Sequence, residues 1–114
     1  PTFMMEAARV ALGCDESVNE FNEEYKRRRD IMKKGLSELP GIRVVEPEGA
    51  FYIFADITGT GMSDTEFADG ALKAGVQLIP ASLITGGEGF IRVSYATNEQ
   101  AIHEGLHRLK SWLT

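Results

Sequence analysis

An arginine interrupts the most strand-like stretch of the chain. In Gly87-Glu88-Gly89-Phe90-Ile91-Arg92-Val93-Ser94-Tyr95-Ala96, Arg92 sits among apolar and β-branched neighbours, and Glu88 is the only carboxylate close to it in sequence. An unpaired guanidinium in an interior costs several kcal/mol even after relaxation, so this side chain needs an anion or an opening to water. Two readings follow for the residue alone. It is held in an internal ion pair or lies on an edge strand, or its planar fork receives the carboxylate of a ligand bidentately. Other reactive types give weaker signals. His103 and His107 have the i, i+4 spacing that could ligate a metal, but no third ligand accompanies them and two solvated histidines are expected. Cys14 has no neighbour that would lower its thiol pKa, so a small semi-buried residue near a helix end is expected. The glycines of Thr58-Gly-Thr-Gly-Met-Ser63 suggest a phosphate-binding loop, yet the lysine and preceding context of such a loop are absent, and a flexible loop is expected.

Longer stretches decide between the readings of Arg92. Pro47-Glu-Gly-Ala-Phe-Tyr-Ile-Phe54, Gly75-Val-Gln-Leu-Ile-Pro-Ala-Ser82 and Gly87-Glu-Gly-Phe-Ile-Arg-Val-Ser-Tyr-Ala96 occur in the order and at the approximate spacing of the C-terminal small domain of class I aminotransferases. These are enzymes of the aspartate aminotransferase fold that use pyridoxal 5'-phosphate (PLP). The chain resembles that domain through nearly its whole length, including Tyr25-Lys-Arg-Arg-Arg-Asp30 and the closing Arg108-Leu-Lys-Ser-Trp-Leu113. The resemblance implies that Arg92 binds the substrate's α-carboxylate. It also implies that the lysine carrying PLP, the aspartate on the pyridine nitrogen and most of the phosphate cradle belong to a larger domain upstream. The lysines here, Lys26, Lys33, Lys34, Lys73 and Lys110, fall in stretches expected to be solvated helix. No catalytic, cofactor-binding or metal-binding residue is therefore expected, and the chain alone should bind no PLP. The implied partners are the large PLP-binding domain, an amino acid and a 2-oxo acid, and a second copy in a homodimeric parent enzyme. A non-catalytic carboxylate-binding or interaction module of the same fold is the alternative. One departure bears on the substrate: where the family commonly reads Pro-Gly-Ser-x-Phe-Gly, this chain reads Pro80-Ala-Ser-Leu-Ile-Thr-Gly86. The lost glycine and aromatic could alter the loop beside the substrate.

The elements that position these residues are well marked. Ser17-Val-Asn-Glu20, Ser63-Asp-Thr-Glu66 and Thr97-Asn-Glu-Gln100 have the capping-box form, so a helix is expected after each. The first runs to about Leu39 before Pro40-Gly41, with Val18, Phe21, Tyr25, Met32, Leu36 and Leu39 on one face. The second runs from Asp64 to Ala74, and the last carries Ile102, Gly105, Leu106, Leu109 and Leu113 inward. Strands are expected over 42–45, 50–57, 76–79 and 90–96, with Ile91, Val93 and Tyr95 on one face of the last and Phe90, Arg92 and Ser94 on the other. The resulting order predicts an α/β sandwich, helices packed on a small mixed, largely antiparallel sheet. The resemblance implies that residues 17–114 form the small domain and that residues 1–16 are the segment from the junction with the large domain; Phe3 to Leu12, apolar nearly all round, has the pattern of a buried element and does not fit a free-standing domain.

Composition bounds the rest. With 114 residues the chain makes one domain, and 43% hydrophobic with 25% charged residues is ordinary for a globular chain. A net charge of −5 argues against nucleic acid and anionic membranes, and Arg27, Arg28 and Arg29 lie beside Glu23, Glu24 and Asp30. One cysteine permits no internal disulfide and suits a reducing compartment; with no signal-like or spanning segment, a cytoplasmic location is expected. The start at Pro1 suits a segment of something longer.

Overall fold

A four-stranded sheet with helices on one face is the frame of the computed structural model, which describes all 114 residues. In chain order the elements are α1 (Thr2–Ala11), α2 (Asp15–Ser37), β1 (Arg43–Val44), β2 (Tyr52–Asp56), a 3-10 turn (Thr58–Thr60), α3 (Asp64–Lys73), β3 (Ile79–Pro80), α4 (Ser82–Thr85), β4 (Phe90–Ser94) and α5 (Glu99–Leu113). The strands lie in the order β1-β2-β4-β3. Every pairing is antiparallel, so the sheet is wholly rather than largely so. The alternation read in the last strand holds: Ile91, Val93 and Tyr95 are buried while Phe90, Arg92 and Ser94 are not. Ile53, Ala55, Ile91 and Val93 share one face and pack with Met32 and Leu36 of α2, Phe67 and Ala71 of α3, and Ile102 and Leu109 of α5. Phe67 meets Trp112 edge to face at 5.0 Å between ring centres.

Capping chemistry fixes one helix start as expected and shifts two. Ser63 and Glu66 form a full capping box, with the Glu66 N–H donating to Ser63 Oγ and the Ser63 N–H donating to Glu66. At α5 the cap is Asn98 rather than Thr97; its Oδ1 accepts from the Ala101 N–H at 2.8 Å, and adjacent threonine and asparagine are both good caps. α2 begins at Asp15 rather than Ser17, with Cys14 as a cap residue that offers no side-chain hydrogen bond. Asp15 and Glu16 in the first turn favour that start electrostatically. Cys14 is exposed rather than semi-buried. Expected strand 76–79 is displaced to Ile79–Pro80 because Gly75 and Val76 are used in closing α3, their N–H groups donating to Leu72 and Ala71. Pro80 lies on the edge strand, where the absent N–H does least harm.

One further expectation is corrected. Thr58–Thr60 is a hydrogen-bonded turn rather than a flexible loop: the Thr58 N–H and hydroxyl donate to Asp56, and Gly59 lies so close to Gly41 that a Cβ would sit 2.7 Å from the Gly41 carbonyl oxygen. The apolar helix that does not fit a free-standing domain finds no cover in this chain: α1 contributes no buried residue, with Phe3 73% and Met5 72% accessible, and Leu12 just after it is 85% accessible. Exposure continues through Val18 and Phe21 of α2, so residues 1–23 form a projecting arm and inward packing begins at Glu24 and Tyr25. No helix is long and apolar enough to cross a membrane.

Candidate functional site

Arg92 lies on β4, an inner strand, opposite Phe54 of β2 and Ile79 of β3. It points away from the helix-packed face, on the side shared by Tyr52, Phe54, Phe90 and Ser94. The side chain is half-buried, and its guanidinium carbon lies 5.2 Å from the centre of the Tyr52 ring. A cation over an aromatic face at that range gains about 0.5–1 kcal/mol when partly exposed. Phe51, Tyr52 and Phe54 form an edge-to-face row, with ring centres 5.4 and 5.8 Å apart. The carboxylate that β2 places on this face, Asp56, is already engaged. Arg43 donates to it at 2.7 Å from β1, and the Thr58 hydroxyl and N–H donate at 2.7 and 2.9 Å. Thr58, first through its hydroxyl and then its N–H, holds the Asp56 carboxyl below the usual carboxylate range, and Arg43 adds to this. Arg92 joins none of the nine ion pairs, so both structural readings of it, internal ion pair and edge-strand residue, are set aside. Chemically the site is an aromatic-backed guanidinium fork on an uncovered sheet face, able to receive a planar anion.

The turn before β2 is built under constraint. Ala50 has φ 64°, the one non-glycine residue with a positive value. For an L-residue that region costs on the order of 1–2 kcal/mol. Its carbonyl accepts from the Tyr95 hydroxyl at 2.7 Å, and the next carbonyl, of Phe51, accepts from the Tyr95 N–H at 2.8 Å. Tyr95 is 1% exposed, and burial raises its phenol above the ordinary tyrosine range, which keeps it a hydrogen-bond donor. On the other side of Arg92, the departing segment Pro80–Gly86 folds as the single turn α4. Ala81 has an ordinary right-handed backbone and is buried, so alanine fits there without strain. Asp64, itself buried, accepts from the Ser82 N–H at 2.9 Å; Ser82 holds its carboxyl below the usual range and so ties this turn to the start of α3.

The remaining sequence candidates lie elsewhere. His103 and His107 are exposed on α5, and no cluster of three potential metal ligands exists. Lys26, Lys34, Lys73 and Lys110 are exposed on the helices, and Lys33 is half-buried and paired with Glu46 at 2.7 Å. These helices pack on the face opposite Arg92. The arginines of α2 are neutralised in place: Arg28 pairs with Glu24 at 2.7 Å, Arg29 with Asp30 at 3.0 Å, and Arg27 with both Glu24 and Glu99. Tyr52, Ala50 and Tyr95 were not singled out by sequence as functional. Alternation placed Tyr52 and Arg92 on faces of their own strands, but only the register of β2 with β4 brings them together.

Comparison with known proteins identifies the family and the fold. Residues 1–109 match the family described as aminotransferase class I and II. The chain is 43% identical to an aspartate aminotransferase of Pyrococcus horikoshii and 41% identical to aromatic-amino-acid aminotransferase 2 of Thermococcus litoralis, in each case over 98% of this chain and 30% of that protein. It thus spans about 30% of the length of the curated relatives it matches. Among solved structures, an aromatic aminotransferase of Pyrococcus horikoshii superposes with a TM-score of 0.79 at 40% identity, over 84% of this chain and 26% of that one. An aspartate aminotransferase of Thermus thermophilus, solved with maleate, gives a TM-score of 0.80 at 34% identity over 87% and 25%. By sequence and by fold alike, the chain belongs to the class I and II aminotransferase family.

Proposed function

We propose that this chain is the small domain of an amino-acid aminotransferase and that Arg92 holds the substrate's α-carboxylate. The observation that carries the reading is a half-buried inner-strand arginine on the uncovered sheet face, stacked on Tyr52 and joined to no carboxylate of its own chain. Asp56 shares that face yet is saturated by Arg43 and Thr58, so an outside carboxylate has no internal competitor. The Thermus relative solved with maleate, a dicarboxylate, is in keeping with this. Held by two charge-assisted hydrogen bonds, the substrate would lose rotational freedom, so that Cα stays oriented for proton removal from the amino acid in one half-reaction and for proton delivery to the 2-oxo acid's carbon in the other. Motion of this domain toward the large one would then close the site and exclude water.

PLP is the cofactor the family implies, supplying an electron sink for the carbanion formed at Cα. The residues present do not fit its covalent anchor, because the lysines are solvated or, for Lys33, ion-paired, on helices opposite Arg92. Residues 17–114 correspond to the domain, and 1–16 to the junction with a large PLP-binding domain, which would cover the apolar arm; a homodimeric cytoplasmic parent completes the reading. Titrated with PLP and borohydride, this chain should give no saturable adduct at a unique lysine, and such an adduct would overturn the division of labour.

The deciding experiment is Arg92→Lys in the enzyme carrying this domain. Loss of the bidentate fork should cost about 2–5 kcal/mol in kcat/KM for an amino acid and far less for an amine without a carboxylate. Equal losses for both substrates would make Arg92 a scaffold residue.

A further inference from the structure

The turn that delivers Tyr52 beneath Arg92 does not hold itself. Ala50 is exposed, so packing of its methyl group does not explain the left-handed backbone. Gly49 beside it has no heavy atom within 4 Å of where a Cβ would stand. What reaches the Ala50 carbonyl is the Tyr95 hydroxyl, at 2.7 Å. That hydroxyl is rigidly placed. Tyr95 is 1% exposed, its ring meets Tyr25 of α2 edge to face at 6.1 Å, and its N–H fixes the Phe51 carbonyl at 2.8 Å. Two residues beyond Ala50, β2 begins at Tyr52, whose ring lies 5.2 Å from the Arg92 guanidinium carbon. Tyr95 stands three residues after Arg92 on the opposite face, so it reaches the front of the sheet only through this turn.

We infer that Tyr95 is a positioning residue for Arg92: its hydroxyl latches Ala50 in the left-handed turn and so fixes the Tyr52 ring under the guanidinium. The inference deepens the carboxylate-binding reading and, for its effect on substrate, rests on it. The phenyl ring of Tyr95→Phe keeps the packing with Tyr25 and loses only the latch. Freed of its acceptor bond, Ala50 relaxes toward negative φ, the start of β2 turns with it, and Tyr52 swings from beneath Arg92.

Two measurements test this. In the 114-residue chain, the Arg92 Nε–H proton, assigned by its loss in Arg92→Lys, should show the ring-current shift of a group over Tyr52. Tyr95→Phe should move it toward the position of a free arginine, and Ala50→Gly added to Tyr95→Phe should bring it most of the way back, because glycine adopts positive φ without a latch. In the enzyme carrying this domain, Tyr95→Phe should raise KM for an amino acid about three- to tenfold, the worth of one ordinary hydrogen bond, with little change in kcat or for a carboxylate-free amine. An unmoved Arg92 signal and an unchanged KM ratio, with only a lower Tm, would show that Tyr95 is a core residue and overturn the latch. A shifted signal that Ala50→Gly fails to restore would overturn the route through Ala50. Should Arg92→Lys leave amino-acid selectivity intact, the carboxylate reading fails, while the proton signal still decides whether Tyr95 holds Tyr52.

Discussion

Ile91 and Arg92 are neighbours on one strand and face opposite worlds. Ile91 is fully buried against the helices together with Ile53, Ala55 and Val93, while Arg92 shares its side with half-buried aromatics and an exposed serine. The closed face uses shape alone: branched aliphatic side chains meet Leu36, Phe67 and Ile102 with no polar group left unpaired. The open face uses polarity and ring geometry: Arg92, Tyr52, Phe54 and Phe90 stay half-buried, and only Asp56 at its end, held by Arg43 and Thr58, is buried. A sheet face left open in this way is poor for stability and good for reception, since whatever docks there meets donors that the fold has not consumed. Under the proposed function, the two faces would divide stability from recognition residue by residue along β4.

That division can be broken most sharply by truncating the closed face. Ile91→Ala should cost about 2–5 kcal/mol of unfolding free energy, read from denaturant midpoints, and leave the preference for carboxylate substrates unchanged in whatever protein remains folded. A mutant that lost selectivity in proportion would show that the faces are not independent. Arg92→Lys should do the reverse, with its large effect on amino-acid turnover accompanied by a stability change within about 0.5 kcal/mol, as for a surface substitution. A large drop in Tm would place Arg92 among the structural residues.

Smaller effects sharpen the comparison at its edges. Ser63→Ala removes the cap of α3, a helix of the closed side, and should cost about 0.5–2 kcal/mol without touching turnover. The last effect appears only in acid. Asp64 is held below its usual range by Ser82, so the stability it contributes is present above the unfolded carboxyl value of about 3.9 and is lost as pH falls through the lower folded value. Acid titration of Tm should therefore be shallower below about pH 4 for Asp64→Asn than for the parent chain. An unchanged acid limb would mean that the tie between α3 and α4 carries no such linkage.

Local chemistry explains what the sequence by itself determined. Ser63 and Glu66 mark the start of α3 because the capping partners lie within one turn, and the faces of 90–95 follow from the two-residue period of a strand. Arg92 could be picked out because a guanidinium among strand-forming apolar residues conflicts with burial, and the resemblance of the surrounding motifs suggested the carboxylate-binding role proposed for it. Ser17 misled because a good cap sequence also fits inside a helix; the short joint at Leu12-Gly13-Cys14 set the true start at Asp15. Periodicity likewise placed Val18 and Phe21 inward with Leu36, although residues 1–23 extend past the sheet and have nothing of this chain to pack against. Tertiary structure alone decided three further things: that Asp56 is spent on Arg43 and Thr58, that Tyr52 lies beneath Arg92, and that Tyr95 grips Ala50. The Tyr52–Arg92 and Tyr95–Ala50 contacts depend on the register of β2 with β4, far apart in the chain, and the Arg43–Asp56 pair on that of β1 with β2, while Thr58 reaches Asp56 locally; a residue's own neighbours do not say which distant carbonyl, ring or guanidinium the closed sheet will bring to it.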